Sequence, residues 1–162
     1  MLLVKTYLAY SPIHGIGVFT EEHVPKGTAV WRFDDLVDRR IAPAETALFP
    51  PLYQTYVKHY GYLCPQELLN PDQPPTRDNM VIILCGDDAR FFNHSDDPNV
   101  VESPLPGGVT GEDVAARDIV PGEELTCDYF SFDAEAAEKL GRSAYETDPE
   151  IETVIESLDP PR

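Results

Sequence analysis

The chain has 162 residues, 42% of them hydrophobic, which suits one domain with a buried core. Its formal net charge of -17 repels phosphates, so direct binding of DNA or RNA is not expected, whereas a basic protein or peptide partner is favoured. No stretch approaches the ~20 apolar residues that span a bilayer, and the N-terminus MLLVKTYLAYSP lacks the pattern of a signal peptide. We therefore expect a cytoplasmic protein without membrane contact.

The N-terminal third predicts short strands separated by turns. Residues 2–8, 17–20 and 28–33 are rich in apolar, aromatic and β-branched side chains and are expected as strands. The segments SPIHGIG at 11–17 and PKG at 25–27 carry the proline and glycine that turns favour.

Residues 42–75 differ in composition, and we interpret them as a helical insert. Residues 43–49 begin with a proline, which suits the first turn of a short helix, and the two prolines that follow end it. Residues 52–60 suit a second helix, whereas the prolines within 64–79 predict a loop.

The second half returns to strands and ends in helices. MVIILC at 80–85 predicts a buried strand, and two further strands are expected at 112–117 and 124–127. Residues 133–140 suit a helix with Asp133 as its N-cap, and a glycine follows as the C-terminal stop.

The last segment, after Pro149, predicts another helix with one apolar face. That face consists of Ile151, Val154, Ile155 and Leu158. A helix of about ten residues is marginal alone in water, so this face is expected to pack on the domain. Pairing between two copies of the chain is the alternative, so both a monomer and a homodimer remain open.

Three cysteines, Cys64, Cys85 and Cys127, are widely spaced, and no C-x-x-C pair occurs. This spacing predicts neither a zinc site nor a disulfide framework, and we expect buried, reduced thiols. A pair of glycines flanks Ile16 in HGIGVF, and a turn that needs positive φ explains the pair by itself. It is not the dinucleotide fingerprint, because the third glycine and the following helix are missing.

The segment RFFNHSDDPN at 90–99 admits several interpretations. Its asparagine, aspartate and proline residues favour a turn, and a turn alone would explain them without any function. Its N-x-S is formally a glycosylation sequon, which has no meaning without secretion. His94-x-Asp96 is also the start of a two-histidine, one-carboxylate iron site, but the other histidines all lie upstream, whereas that pattern places its last histidine downstream.

Taken with two further segments, RFFNHSDDPN resembles the central signature of the SET domain of protein lysine methyltransferases. PGEELTCDY at 121–129 matches the second half of that signature, and GIGVF followed by VPKG matches the family's start. The resemblance covers roughly residues 3–132. It implies a mainly β, β-clip-like fold of several small sheets with short helices and a C-terminal pseudoknot, with residues 1–132 as the SET domain and 133–162 packing on it.

The resemblance implies S-adenosylmethionine as the cofactor and a lysine ε-amine of a basic protein or peptide as the substrate. Tyr129 matches the family's catalytic tyrosine, and the preceding Asp128 is interpreted as structural. The residues that match cofactor-binding positions are Gly15, Ile16, Gly17, Arg90, Phe91, Asn93, His94 and Tyr129. Two other functions compete: a SET-fold module that binds a basic partner without turnover, and an acidic, β-rich interaction protein without a cofactor.

Methyl transfer needs a neutral amine, and presenting lysine in that form at pH 7 costs about 4–5 kcal/mol. A narrow apolar channel beside a cationic sulfonium lowers the pKa of the amine and with it that cost. The channel is also expected to be aromatic, because rings hold an alkylammonium by cation–π contact. The candidates for this substrate channel are Tyr60, Tyr62, Cys127, Phe130 and Phe132. Tyr129 is expected to orient the amine, and the proton is expected to leave to water, which predicts an alkaline rate optimum.

The sequence departs from the family pattern at two positions. Asp96 stands where many members have a zinc-binding cysteine, and residues 130–162 contain no cysteine. We therefore expect no metal, and a channel closed by the aromatic residues after Tyr129 and the helix from Asp133. Cys127 stands where the family usually has an aromatic residue, which predicts a roomier channel that admits di- or trimethylation.

Overall fold

The computed structural model describes residues 1–65, 80–103 and 111–141. Within these ranges the backbone forms short strands in three small sheets, joined by turns and short helices. The strands are β1 (Thr6–Tyr10), β2 (Ile16–Thr20), β3 (Ala29–Arg32), β4 (Arg39–Ile41), β5 (Tyr62–Pro65), β6 (Met80–Leu84), β7 (Asn93–His94), β8 (Val100–Glu102), β9 (Glu112–Ala115) and β10 (Glu124–Cys127). The α-helices are α1 (Pro51–Tyr60) and α2 (Ala136–Lys139), and 3-10 helices span Pro43–Leu48, Asp88–Phe91 and Tyr129–Ser131.

The three sheets have the strand orders β1-β2-β10-β7, β3-β9-β8 and β4-β6-β5. The strand pairs are antiparallel except for β10 and β7, which run parallel. This arrangement confirms the predicted mainly β fold of several small sheets with short helices. The threading of a C-terminal pseudoknot stays a prediction.

The largest apolar cluster joins the four-stranded sheet to the β3-β9-β8 sheet. Val18 and Leu125 point into it from the first sheet, and Val30 and Val100 from the second, and all four are fully buried. Burying an aliphatic side chain of this kind stabilises the fold by roughly 1.5–3 kcal/mol relative to exposure. The cluster therefore fixes how the two sheets meet, and the candidate site lies beside it.

Several predicted boundaries were wrong. The first strand begins at Thr6, and Leu2 makes a single bridge to Trp31 instead of belonging to the strand. Helix α1 begins at Pro51, because a proline tolerates the first helical position, where its missing N–H is not needed. The start of the loop predicted from residue 64 is strand β5, which pairs with β6, and the remainder of that loop lies outside the described residues.

The C-terminal helix differs from its prediction in one respect. Helix α2 lies within the predicted 133–140, and Gly141 ends it with a φ of 63°, as expected for a glycine stop. Asp133 is not its N-cap, because that carboxylate accepts hydrogen bonds from the Leu63 and Glu135 N–H groups instead. The helix predicted after Pro149 lies outside the described residues.

Among the residues that the structure describes, no helix has the length and apolarity needed to cross a bilayer.

Candidate active site

The two motif segments, far apart in sequence, are joined by the parallel pair β7–β10. Asn93 is opposite Thr126, and His94 is opposite Cys127. The second asparagine of the motif, Asn99, is buried and ties the segments together: its Oδ1 accepts from the Thr126 N–H at 2.9 Å, and its Nδ2 donates to the Glu124 carbonyl at 2.7 Å. The strand pairing thus places Asn93, His94 and the residues after β10 side by side.

Asn93 is buried and directs its amide at the glycine turn. Its Nδ2 lies 3.1 Å from the His14 carbonyl, 3.2 Å from the Ile16 carbonyl and 2.8 Å from Glu124 Oε1. An amide nitrogen carries two hydrogens, so it cannot fully satisfy three acceptors at once. We call these three oxygens the acceptor cluster. An ammonium group, with three hydrogens and a positive charge, matches it better than an amide does.

The glycine turn leaves no room for a side chain at its second glycine. A Cβ on Gly17 would lie 2.1 Å from Glu124 Oε1, which is far inside van der Waals contact. The Glu124 carboxylate is itself held there by the Ser11 hydroxyl, which donates to Oε2 at 2.9 Å. Gly15 adopts a φ of 53°, a conformation that favours glycine. The pair of glycines therefore serves both the turn and the close approach of a carboxylate.

His94 is buried with both ring nitrogens engaged. Its Nδ1 accepts from the Tyr129 N–H at 3.2 Å, which places the ring proton on Nε2, and Nε2 lies 3.0 Å from Asp96 Oδ1. Asp96 thus fixes the tautomer and orientation of the imidazole. The ring packs against Tyr129 and Phe130, with centroids 5.5 and 5.6 Å away.

Tyr129 is held at both ends. Its N–H donates to His94, and its hydroxyl donates to the Phe92 carbonyl at 2.5 Å. Burial raises the pKa of the Tyr129 hydroxyl above its usual value, so the group stays protonated at neutral pH. The side chain can therefore donate a hydrogen bond or polarise a neighbour, and it cannot serve as a general base near pH 7.

Tyr129 lines a cavity of about 130 Å³ that lies between the β3-β9-β8 sheet and the segments around α1 and α2. Four of the five predicted channel residues line this cavity, namely Tyr60, Tyr62, Cys127 and Phe132. The aromatic rings of Tyr62 and Phe132 meet edge to face at 4.9 Å. Phe130 does not line the cavity and packs on His94 instead.

The segment after Tyr129 forms one wall of the cavity. Phe132, Asp133 and Lys139 contribute to the lining. The buried Asp133 carboxylate pairs with Lys139 at 2.6 Å, and Lys139 also donates to the Gly61 carbonyl at 2.6 Å. The Ala134 N–H donates to the Leu63 carbonyl at 2.8 Å. These contacts anchor the start of the C-terminal segment on β5 and α1.

The remaining predicted cofactor residues, Arg90 and Phe91, lie at the end of the 3-10 helix Asp88–Phe91. The guanidinium of Arg90 lies 5.0 Å from the centre of the Phe91 ring, and Arg90 also lines the cavity. The Phe91 ring meets Tyr60 edge to face at 5.6 Å. Arg90 is thus part of the cavity lining, and Phe91 packs behind it against Tyr60.

The opposite wall carries acidic and polar groups that sequence reasoning missed. Asp113, Glu102 and the buried Trp31 all line the cavity. Burial, together with the carboxylates of Glu102 and Glu112, raises the pKa of Asp113 to about 7. No motif marked these residues, because they face the cavity only through the pairing of β3, β9 and β8. Glu124 was missed as well, although its place in PGEELTCDY could have indicated it.

Within the described ranges, no group of three or more His, Cys, Asp and Glu side chains is arranged to hold a metal ion. Cys85 and Cys127 line the cavity, and burial raises the pKa of both thiols. They are therefore uncharged at neutral pH.

Comparison with protein families identifies the family of this chain. A family model described as the SET domain matches residues 15–130, which is most of the chain. The chain belongs to the SET-domain family. Ile16, Glu124, His94 and Tyr129 all lie in the segments that carry the signature, and His14 directly precedes the first of them.

Solved SET-domain structures resemble this one at low sequence identity. A candidate histone methyltransferase of Plasmodium falciparum is 22% identical over 79% of this chain and 95% of its own, with a TM-score of 0.48. One chain in the structure of Chaetomium thermophilum Polycomb Repressive Complex 2 bound to GSK126 is 20% identical, with a TM-score of 0.56. That match covers 85% of this chain and 17% of the other, so it shows the shared fold alone. Among curated proteins, no sequence matches this chain.

Proposed function

We propose that this SET-domain chain is an S-adenosylmethionine-dependent methyltransferase that acts on the ε-amine of lysine in basic proteins. The observation that carries the proposal is the position of Tyr129. Its backbone N–H donates to His94, the chain neighbour of Asn93, and Tyr129 also lines the aromatic cavity. One residue therefore links a place for the cofactor to a place for the amine.

The residues of the glycine turn fit the amino-acid end of the cofactor. The acceptor cluster offers three oxygens, one of them a carboxylate, to the α-ammonium group, and Asn93 can turn its amide to present Oδ1 as a further acceptor. Gly17 keeps this space free of a Cβ. When bound, S-adenosylmethionine supplies an electrophilic methyl group on a positively charged sulfur. The transfer forms an N–C bond with the amine lone pair, breaks the S–C bond and leaves a thioether.

The lining of the cavity is suited to binding the substrate amine. Tyr60, Tyr62 and Phe132 provide the aromatic surface that attracts an alkylammonium by cation–π contact. The protonated Tyr129 hydroxyl, already fixed by the Phe92 carbonyl, is suited to orienting the nitrogen by a hydrogen bond. Cys127 is smaller than an aromatic residue at the same wall, which supports addition of more than one methyl group.

The charge of the chain supports a basic substrate. A formal net charge of -17 attracts lysine-rich proteins and raises their rate of encounter at low salt. The carboxylates that line the cavity extend this field to the place where the amine enters.

The test uses the chain with methyl-labelled S-adenosylmethionine and a mixture of basic proteins that contains core histones, ribosomal proteins and lysozyme. Label on a lysine residue, located by mass spectrometry, supports the proposal, and the methylation state tests the role of Cys127. Calorimetry with the cofactor then separates the alternatives. Binding without transfer indicates a SET-fold module that binds a basic partner, and the absence of binding indicates an interaction protein without a cofactor.

The Tyr129→Phe variant tests the catalytic assignment. Loss of the hydroxyl should lower kcat by about 10²-fold or more, the usual cost of one preorganised donor. Binding of S-adenosylmethionine should change little, because the acceptor cluster does not include the hydroxyl. Tyr10→Phe is the matched control, since Tyr10 is 91% exposed. Equal turnover by Tyr129→Phe and Tyr10→Phe would contradict the role assigned to Tyr129.

A further inference from the structure

We propose that Asp113 accepts the proton of the substrate ammonium through the cavity, so that the amine is neutral when methyl transfer begins. This inference rests on the proposed function and deepens it. It replaces the expectation that the proton leaves to bulk water.

The sheet β3-β9-β8 presents Asp113 to the cavity from its central strand. Asp113 is opposite Trp31 on β3 and opposite Glu102 on β8. Directly opposite residues of neighbouring strands lie on the same face of a sheet, and all three line the cavity that Tyr129 and Cys127 also line. We call Trp31, Asp113 and Glu102 the cavity row.

The surroundings of Asp113 suit a group that exchanges protons near neutral pH. The pKa of Asp113 is raised to about 7 by burial first, and then by Glu102 on β8 and Glu112 on β9. Glu112 points to the other side of the sheet, where Arg32 of β3 donates to it at 2.8 Å. The Met1 ammonium acts in the opposite direction. A base whose pKa lies near the working pH is the most effective proton acceptor.

Several other titratable groups of the cavity are less suited to this task. Burial raises the pKa values of Tyr62, Cys85 and Cys127, so these groups hold their protons at neutral pH. Asp133 is already occupied by Lys139 and by two backbone N–H groups.

Glu102 is the remaining cavity carboxylate in the described part of the chain, apart from those of Asp113 and Asp133, and it is exposed to solvent. Asp113, in contrast, is half-buried and lines the cavity.

The indole of Trp31 supports a water-mediated path. Trp31 is 5% exposed, and its Nε1 makes no hydrogen bond to the other described residues. Buried N–H groups normally find an acceptor, and water is the ordinary one in a polar cavity. A water that accepts from Trp31 would lie in the same cavity row as Asp113. Such a water would carry a proton from the amine to the carboxylate without direct contact between them.

The proton step is balanced by the groups named. One N–H bond of the lysine ammonium breaks, its electron pair stays on nitrogen, and an O–H bond forms on Asp113. That electron pair then makes the N–C bond of the methyl transfer. Asp113 releases its proton to water at the mouth of the cavity before the next turnover.

The test compares pH profiles of kcat/KM for the wild-type chain and for Asp113→Asn, with the most strongly labelled protein of the basic mixture as substrate. The wild-type rate should rise with pH and level off above about pH 7–8, where Asp113 is ionised. Asp113→Asn should be slower by about 10²-fold or more at pH 7, the usual contribution of a general base. Its rate should keep rising about tenfold per pH unit towards the pKa of the lysine ammonium.

Two further measurements separate proton transfer from a structural role. Glu102→Gln removes a carboxylate that raises the pKa of Asp113. The pH at which kcat/KM of this variant levels off should therefore be lower than for wild type. The defect of Asp113→Asn should shrink when the target lysine is replaced by aminoethylated cysteine, whose amine has a lower pKa than lysine. Binding of S-adenosylmethionine, measured by calorimetry, should be the same for all three chains.

The outcomes are distinct. A wild-type chain that transfers no methyl group overturns the proposed function and this inference with it. An active wild-type chain whose pH profile is unchanged by Asp113→Asn overturns this inference alone. This inference is also overturned if kcat/KM of Glu102→Gln levels off at the same pH as that of wild type. It is overturned as well if Asp113→Asn loses the same factor in kcat/KM with lysine and with aminoethylated cysteine.

Discussion

The raised pKa of Asp113 has a consequence for stability that can be measured without any substrate. The carboxyl titrates at about 7 in the folded chain, compared with its usual 3.8. Between about pH 4 and pH 7 the folded chain therefore holds a proton that the unfolded chain has lost. Rising pH favours the unfolded state throughout this window. Asparagine has nearly the same shape and does not titrate, so Asp113→Asn should remove this pH dependence.

The magnitude follows from the size of the shift. A difference of roughly three pH units corresponds to about 4 kcal/mol at full ionisation, since each unit is worth about 1.4 kcal/mol. Asp113→Asn should therefore be more stable than wild type at pH 8 by about 2–4 kcal/mol, the lower value allowing for water in the cavity. The advantage should grow by about 2 kcal/mol between pH 5.5 and pH 8.

Urea unfolding at pH 5.5 and at pH 8 measures this difference for both chains. Lower pH is avoided because the sequence pI is about 4.3, where a small net charge promotes association. Asp97→Asn is the matched control, since it makes the same change at an exposed carboxyl and should show no such growth. An advantage of Asp113→Asn that is equal at the two pH values, or a loss of stability at pH 8, would refute the reasoning.

Two further variants test the walls of the site. Gly17→Ala should weaken binding of S-adenosylmethionine in calorimetry by about tenfold or more, because its Cβ displaces the Glu124 carboxylate; unchanged affinity would contradict the acceptor cluster. Asp133→Ala should lower the free energy of unfolding by about 3 kcal/mol, since it leaves the Lys139 ammonium without its buried partner. Lys58→Met, which removes an exposed ion pair with Glu138, is the control and should leave the urea midpoint unchanged; an equal effect of both variants would argue against the anchoring of the C-terminal segment.

Several residues in and beside the acceptor cluster could be predicted because their motif is local. Glycine at 15 and 17, Asn93 and His94 stand in short segments whose residue types the site geometry requires, and the structure brings them together. The same holds for Tyr129, whose N–H reaches His94 directly.

The direction of the aromatic residues after Tyr129 could not be predicted in the same way. Residues 129–131 form a 3-10 helix, which has about three residues per turn, so Tyr129 and Phe132 point to one side. Both line the cavity, whereas Phe130 turns away to His94. Tertiary contact, rather than composition, decided which ring closes the cavity.

The cavity row could not be predicted from the sequence for a different reason. Asp113 lies in the strand EDVA, whose alternation gives no hint of which face is buried. Its neighbours Trp31 and Glu102 come from strands on either side of it in the sheet, so the row exists only after all three strands pair. Strand β4 was missed as well. Two of its three residues are the charged Arg39 and Arg40, which do not indicate a strand, although the segment pairs with β6.

The parallel pairing of β7 with β10 has a consequence for when the candidate site forms during synthesis. Asn93 finds its strand partner, Thr126, only after β10 has been made. At a synthesis rate of 5–20 residues per second, the ribosome needs about 2–7 s to produce the residues between them. During that interval Asn93 has neither its β10 partner nor the Glu124 carboxylate. The candidate site is thus completed only after β10 has been made, and under the proposed function a chain arrested before β10 should transfer no methyl group.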